Sequence, residues 1–247
     1  MTAPIVIGSG IGIGPGIGIG NSGVTPPPAV SPVLSLDAGN PASYPGTGTT
    51  WTDTVGSMPF NLVNSPAYSS ANGGYLQFNP GSGQFGYSTT NLGTLANWSI
   101  EAWHYYDGTN TAAAPNIFTE YSYAGGTINL GLGAANSGDT TVQAWWYGGG
   151  FHATPPYILT PGAWYQIVGT FDGSTLNLYV NGTLVQTQAG ESPGGAANPA
   201  IGYGLMTRWD AGGLWGGRLA ILNVYNVALN IADVQQNFNT NQARFGL

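Results

Sequence analysis

Three glutamates, Glu101, Glu120 and Glu191, are the chain's entire supply of that residue, and none belongs to a recognisable catalytic pair. Cleaving a glycosidic bond needs two carboxylates flanking it, one as acid and one as base or nucleophile. Glu101, in Ser99-Ile100-Glu101-Ala102-Trp103, has no such counterpart and reads as an outward-facing strand carboxylate. His104 and His152 accompany no nucleophile motif and read as a strand and a loop residue. No catalytic residue is expected.

Aromatic side chains offer a different chemistry. Pyranose CH faces stack on exposed rings, while sugar hydroxyls need directional polar partners beside them. Two segments supply both. In Trp145-Trp146-Tyr147-Gly148-Gly149-Gly150-Phe151-His152, successive aromatics fall on both faces of a strand, so at least one points away from the core. In Met206-Thr207-Arg208-Trp209-Asp210-Ala211-Gly212-Gly213-Leu214-Trp215, a glycine-bounded loop gathers two tryptophans, an arginine and an aspartate. The candidate sugar-binding residues are Trp145, Trp146, Tyr147, His152, Arg208, Trp209, Asp210 and Trp215. Core or rim packing is the competing reading of each ring.

The elements that position these residues are strands. Between Trp164 and Thr187, Trp164, Gln166, Val168 and Thr170 alternate with Tyr165, Ile167, Gly169 and Phe171, the period-two pattern of a strand. Asp172-Gly173 breaks that run, and Asn181-Gly182 breaks the next, both as hairpin turns requiring positive φ. Further strands are expected over 33–36, 60–63, 75–78, 99–106, 117–121, 127–132, 141–147, 163–171, 175–180, 183–188, 200–203 and 218–225. A helix is expected over 231–239, with Asn230 as N-cap, Asp233 completing a capping box, and Leu229, Ala232, Val234 and Phe238 docking it on the sandwich edge. The fold class is all-β: a two-sheet antiparallel jelly-roll sandwich, one short C-terminal helix and an extended amino-terminal arm.

Composition narrows the partners. The 247 residues include 41 Gly, 8 Trp and 14 Tyr, with 5% charged and a net charge of −7. Arg208, Arg218 and Arg244 are the only strong cations, too few and too scattered to displace counterions from nucleic acid. Cysteine is absent, so disulfides do not hold the fold. No apolar run reaches the 18 residues that would argue for a membrane span, and the start lacks a signal peptide's pattern, which gives synthesis in a cytoplasm as the expectation.

Residues 5–22 repeat as IVIGSG, IGIGPG, IGIGNS. Glycine leaves one face of such a ribbon bare, while Ile5, Ile7, Ile11, Ile13, Ile17 and Ile19 load the other. A single ribbon cannot bury those isoleucines, and glycine makes ordering it costly. It therefore needs sister chains around a three-fold axis or the surface of an assembly; a glycine-rich leader without fixed structure is the alternative. Residues 24–32, rich in proline, form a semi-rigid spacer. The domains are thus an anchoring arm over 1–23, the spacer over 24–32 and a globular domain over 33–247.

The order Trp164, an apolar strand, Phe171-Asp172-Gly173, then Leu178-Tyr179-Val180-Asn181-Gly182 resembles the core hairpins of laminin-G-like domains in the concanavalin A-like lectin/glucanase superfamily. Gly217 to Leu229 resembles that family's closing strand and its Tyr-Asn-x-Ala-Leu exit, and Leu36 to Pro45 with Trp51-Thr52-Asp53 resembles the opening of such domains in bacteriophage virion proteins. The resemblance covers residues 33–247. It implies a non-enzymatic virion structural protein, a capsid decoration or tail appendage subunit, partnered by other virion proteins and sister chains as a homo-oligomer such as a trimer. The alternative is a carbohydrate-binding adhesin for host-surface glycans. A glycoside hydrolase is disfavoured, because the Glu-x-Asp-x-x-Glu strand motif of the family's glucanases is absent. Calcium is the cofactor the family suggests, with Asp139, Asp172 and Asp210 as weak candidate ligands. Ala220-Ile221 departs from the acidic pattern of calcium-binding relatives, and Asp172 beside Gly173 reads equally as a turn former.

Overall fold

The alternation seen in the sequence becomes, in a computed structural model, two packed antiparallel sheets. Residues 30–111, 114–121, 129–134, 140–147, 150–191, 202–208 and 212–247 are described. The strands are β1 (Leu34–Asp37), β2 (Thr50–Thr52), β3 (Pro59–Val63), β4 (Ala67–Ser69), β5 (Tyr75–Phe78), β6 (Phe85–Ser88), β7 (Trp98–Tyr106), β8 (Asn110–Thr111), β9 (Asn116–Tyr121) and β10 (Asn129–Gly133). They continue as β11 (Thr141–Tyr147), β12 (Phe151–Ala153), β13 (Tyr157–Ile158), β14 (Ala163–Phe171), β15 (Thr175–Val180), β16 (Thr183–Ala189), β17 (Gly202–Leu205), β18 (Leu214–Trp215) and β19 (Gly217–Tyr225). Helix α1 spans Ile231–Phe245.

The first sheet runs β16-β15-β14-β7-β19-β5-β4, and the second runs β12-β11-β10-β9-β17-β6-β3-β2. One flank of β19 is shared between β5, opposite Gly217 to Leu219, and β1, opposite Ile221 to Val224. Trp51, Phe60, Phe78, Trp98, Phe118, Trp146 and Tyr203 fill the space between the sheets. The anticipated Asn181-Gly182 turn is present, with φ of 49° and 73°, the paired positive values a type I′ hairpin requires. The packed part begins slightly before residue 33, since Val30 packs against the cluster of Val168, Tyr179, Tyr225, Leu229 and Val234. The arm with Ile5, Ile7, Ile11, Ile13, Ile17 and Ile19, and the spacer as far as Ala29, lie outside the described residues.

Helix α1 has the expected start. Asn230 Oδ1 accepts from the Ala232 and Asp233 amides, and Asp233 Oδ2 accepts from the Asn230 amide. The helix continues six residues past Asn239 to Phe245, because Phe245 and Phe238 both stack on Trp103, with centroids at 4.6 and 5.9 Å. It therefore lies across the outer face of the first sheet, not on the sandwich edge. Val234 and Leu229 are buried as expected, whereas Ala232 faces solvent.

This placement corrects the reading of Glu101. Its side chain does point away from the inter-sheet core, but it is buried beneath α1. One carboxylate oxygen accepts from Trp103 Nε1 (3.2 Å) and Gln166 Nε2 (2.8 Å). The other accepts from Asn223 Nδ2 (3.3 Å), Tyr225 OH (2.9 Å) and Asn237 Nδ2 (3.0 Å). Burial, and then the Glu101 charge, push the Tyr225 phenol well above its ordinary range. Gln166 extends the network by accepting from the Gly182 amide, which ties it to the hairpin turn. At the helix end, Arg244 makes a bidentate pair with Asp37 of β1 at 2.9 and 3.1 Å and donates to the Asn72 and Gly74 carbonyls.

Glu120 faces the inter-sheet space opposite Tyr203. Burial pushes its carboxyl up to about 8, against the lowering effect of a hydrogen bond from the Leu130 backbone.

Two stability changes follow. Glu101→Ala leaves several buried donors unpaired and is expected to cost about 3–5 kcal/mol in chemical denaturation. Folded Glu120 keeps its proton to about pH 8, while the unfolded chain releases it near 4.5. Its contribution is therefore intact below pH 4.5 and is lost as pH rises to 8. Glu120→Gln should flatten the fall in melting temperature between those two pH values, relative to the wild type.

Candidate functional site

Strand β11 sorts its aromatic run by parity. Val142, Ala144 and Trp146 turn inward, while Gln143, Trp145 and Tyr147 turn outward. Strand β12 pairs back on it, setting Phe151 opposite Tyr147, His152 opposite Trp146, and Ala153 opposite Trp145. Phe151 and Tyr147 thus share the outer face of an edge hairpin, with 52% and 43% of their surfaces exposed. Trp145 forms their floor, its ring 5.8 Å from that of Phe151. It can lie flat because residue 131 of β10 is glycine: a Cβ there would come within 2.3 Å of the indole. Trp145 Nε1 donates to Asn116 Oδ1 at 2.8 Å, which fixes the ring and uses its polar edge internally.

Around the same hairpin, His152 lies parallel to Trp146, with ring centroids 4.0 Å apart. Its Nδ1 meets the Glu191 carboxylate, so β12 at the edge of the second sheet is joined to the residues just after β16 at the edge of the first. His152 is a strand residue rather than a loop residue, and its ring faces the opposite side of β12 from Phe151. Trp145 and Tyr147 share the outer face, whereas His152 turns to the inner face with Trp146 and is not brought to them. Trp146 is in the same segment but is fully buried as the inward residue of β11, so its ring is closed to a ligand.

The second anticipated cluster is separate. In the second sheet, β9 and β10 intervene between β17 and β11, a lateral gap of about 14 Å. The Arg208 amide donates to the Gly213 carbonyl, closing the turn that follows β17. Trp215 is fully buried, and its Nε1 donates to His104 Nε2 at 2.9 Å. His104 Nδ1 in turn approaches the Arg218 carbonyl at 2.9 Å. Burial pushes this histidine down to about 4, so it serves as a neutral linker with its proton on Nδ1. Trp215 is thus a packing residue, not a sugar platform. Trp209 and Asp210 lie outside the described residues, as does Asp139.

Asp172, the remaining candidate ligand, is engaged by its own turn. Its Oδ1 accepts from the Ser174 amide, the Ser174 hydroxyl and the Thr175 amide. Desolvation, the largest single influence, raises its pKa, but these bonds together outweigh it and leave the carboxyl below its ordinary value. Among the described residues, no group of three His, Cys, Asp or Glu side chains is placed to hold a metal ion.

Phe151, the most exposed ring of the hairpin, is the residue that sequence reasoning passed over. The signal was present, because three glycines follow Tyr147 in the sequence and residue 151 pairs with it. Asn116 and Glu191, which orient Trp145 and His152, carried no local signal; both contacts cross between strands.

The chain matches no curated protein in sequence. In structure it is similar to domain 4 of the extracellular arabinanase AbnA of Geobacillus stearothermophilus, solved with arabinotriose. The TM-score is 0.63 at 15% identity, over 84% of this chain and 98% of that one. It is also similar to Trypanosoma rangeli sialidase in complex with the inhibitor DANA (TM-score 0.61, 15% identity, 85% of this chain and 33% of that one). The binding domain of botulinum neurotoxin DC in complex with SialylT gives a TM-score of 0.63 at 14% identity, over 85% and 51% of the two chains. The chain thus spans about a third of the sialidase's length and half of the toxin domain's. A family model described as the concanavalin A-like lectin/glucanases superfamily matches residues 67–235, more than half of the chain, and the protein belongs to that superfamily.

Proposed function

We propose that this protein is a non-enzymatic virion structural protein, a capsid decoration or tail appendage subunit of a bacteriophage, whose lectin-like domain binds surface glycans at the β11–β12 hairpin. The observation that carries the glycan reading is the pair of exposed rings, Tyr147 and Phe151, side by side over Trp145 on the outer face of the edge hairpin. Such a platform stacks a sugar's apolar face, with the Tyr147 hydroxyl as a polar partner for its hydroxyls. The arabinotriose complex of the arabinanase domain, the DANA complex of the sialidase and the SialylT complex of the toxin domain support the same direction.

All three glutamates already have structural work. Glu101 is saturated beneath α1, Glu120 faces the interior, and Glu191 holds His152. This supports a binding role over a hydrolytic one, which would require two carboxylates free to flank one bond. The isoleucine–glycine repeat over 5–22 supports anchorage to sister chains or other virion proteins. A site without a metal is the reading consistent with Asp172 being occupied by its turn.

A glycan array probed with the full-length protein is expected to give signals that survive EDTA. Removing both rings in Tyr147→Ala, Phe151→Ala should weaken them roughly tenfold, at about 0.5–1.5 kcal/mol per ring. An array that stays blank with and without calcium overturns the lectin reading. Deleting residues 1–23 should abolish incorporation into particles, scored by electron microscopy and immunoblotting; normal incorporation of the truncated chain defeats the anchoring role.

A further inference from the structure

Helix α1 leaves part of the first sheet's outer face open, where Tyr75 and Gln77 of β5, Tyr105 of β7 and Arg218 of β19 are all partly exposed. The Arg218 guanidinium lies 4.2 Å from the centre of the Tyr105 ring and 4.9 Å from that of Tyr75. Its Nε donates to Gln77 Oε1 at 3.1 Å, and Gln77 Nε2 donates onward to the Gly217 carbonyl and to Asp107 Oδ2. Two rings and a hydrogen bond therefore fix the plane of the guanidinium. Its two terminal nitrogens meet no acceptor among the described residues, and no carboxylate pairs with it, unlike Arg244, which is bidentate on Asp37. A planar fork held in place and left unpaired is arranged to take a carboxylate bidentately.

The surroundings narrow the ligand. Asp107 Oδ1 is taken by the Thr109 amide and hydroxyl, but among the described residues its Oδ2 has only the long 3.3 Å contact from Gln77. That oxygen repels a simple inorganic anion and favours a ligand bringing hydroxyl donors. The Tyr75 and Tyr105 phenols are likewise without hydrogen-bond partners among the described residues. We propose that this surface is a second binding site, separate from the β11–β12 hairpin, for an acidic sugar residue whose carboxylate sits on the Arg218 fork and whose hydroxyls meet Asp107 and the two phenols.

The test is calorimetric titration of the full-length protein with 3′-sialyllactose and with digalacturonic acid, using lactose and sodium sulfate as comparators. At least one acidic sugar should bind saturably and more tightly than both comparators. Arg218→Gln should weaken that binding about tenfold or more, and Arg218→Lys should also weaken it, since an ammonium keeps the charge but loses the fork. Asp107→Asn, which leaves the fork intact, should admit sulfate. Tyr147→Ala, Phe151→Ala should leave acidic-sugar binding unchanged, so this site can fail without touching the hairpin reading. The proposal is overturned if neither acidic sugar binds, if sulfate competes equally with the wild type, or if folded Arg218→Lys binds as the wild type does.

Discussion

A buried carboxylate in the middle of a sheet is tolerable only if its hydrogen-bonding capacity is filled, and Glu101 meets that condition by recruiting donors from three strands and the helix. Trp103 lies on its own strand, Gln166 on β14, Asn223 and Tyr225 on β19, and Asn237 on α1. Apart from that of Trp103, the strand bonds form only when the neighbouring strands are in register, and that of Asn237 only when the helix is seated. The network therefore specifies the docking of α1 more sharply than the apolar contacts of Phe238 and Phe245 could, since stacked rings tolerate sliding and directional bonds do not. With α1 in place, the first sheet is buried on both faces over much of its width. This accounts for the unbroken burial of β14 from Gln166 to Phe171.

The same arrangement leaves the molecule with two kinds of outer surface. The second sheet ends in the short β11–β12 hairpin, where aromatic rings exceed what the core can absorb. The first sheet, beyond the end of α1, keeps a polar strip in which one arginine is held by its neighbours without being neutralised. The two surfaces differ in chemistry as well as position: one is a platform of aromatic rings, the other a cationic fork with an acceptor close by.

The fold was legible wherever a local signal sufficed. Period-two alternation located β11, β14 and β15 at their observed ends, and the Asn181-Gly182 and Asn230–Asp233 signals gave the turn and the helix start. The misses have a common cause. Short edge strands such as β2, β4 and β12 carry too few residues to alternate visibly, and the helix's far end is set by Trp103, more than 130 positions away in the chain. The site was legible to the same extent. Parity said that some ring of 145–147 must face out, but which rings stay exposed depended on Gly131 and Asn116, which lie on other strands. Trp215 was misread because nothing near it in the sequence announces His104 as its partner.

The position of β19 governs when this architecture can come into being. It lies between β7 on one side and β1 and β5 on the other, so the centre of the first sheet stays a gap until residue 225 has been synthesised. The Asp37–Arg244 pair closes later still, across 207 positions of chain. Such long-range closure is slow, and it leaves open sheet edges in the meantime. The growing polypeptide must therefore stay soluble on the ribosome with its two halves unjoined. Folding of this domain is thus governed by its last-made strand and helix.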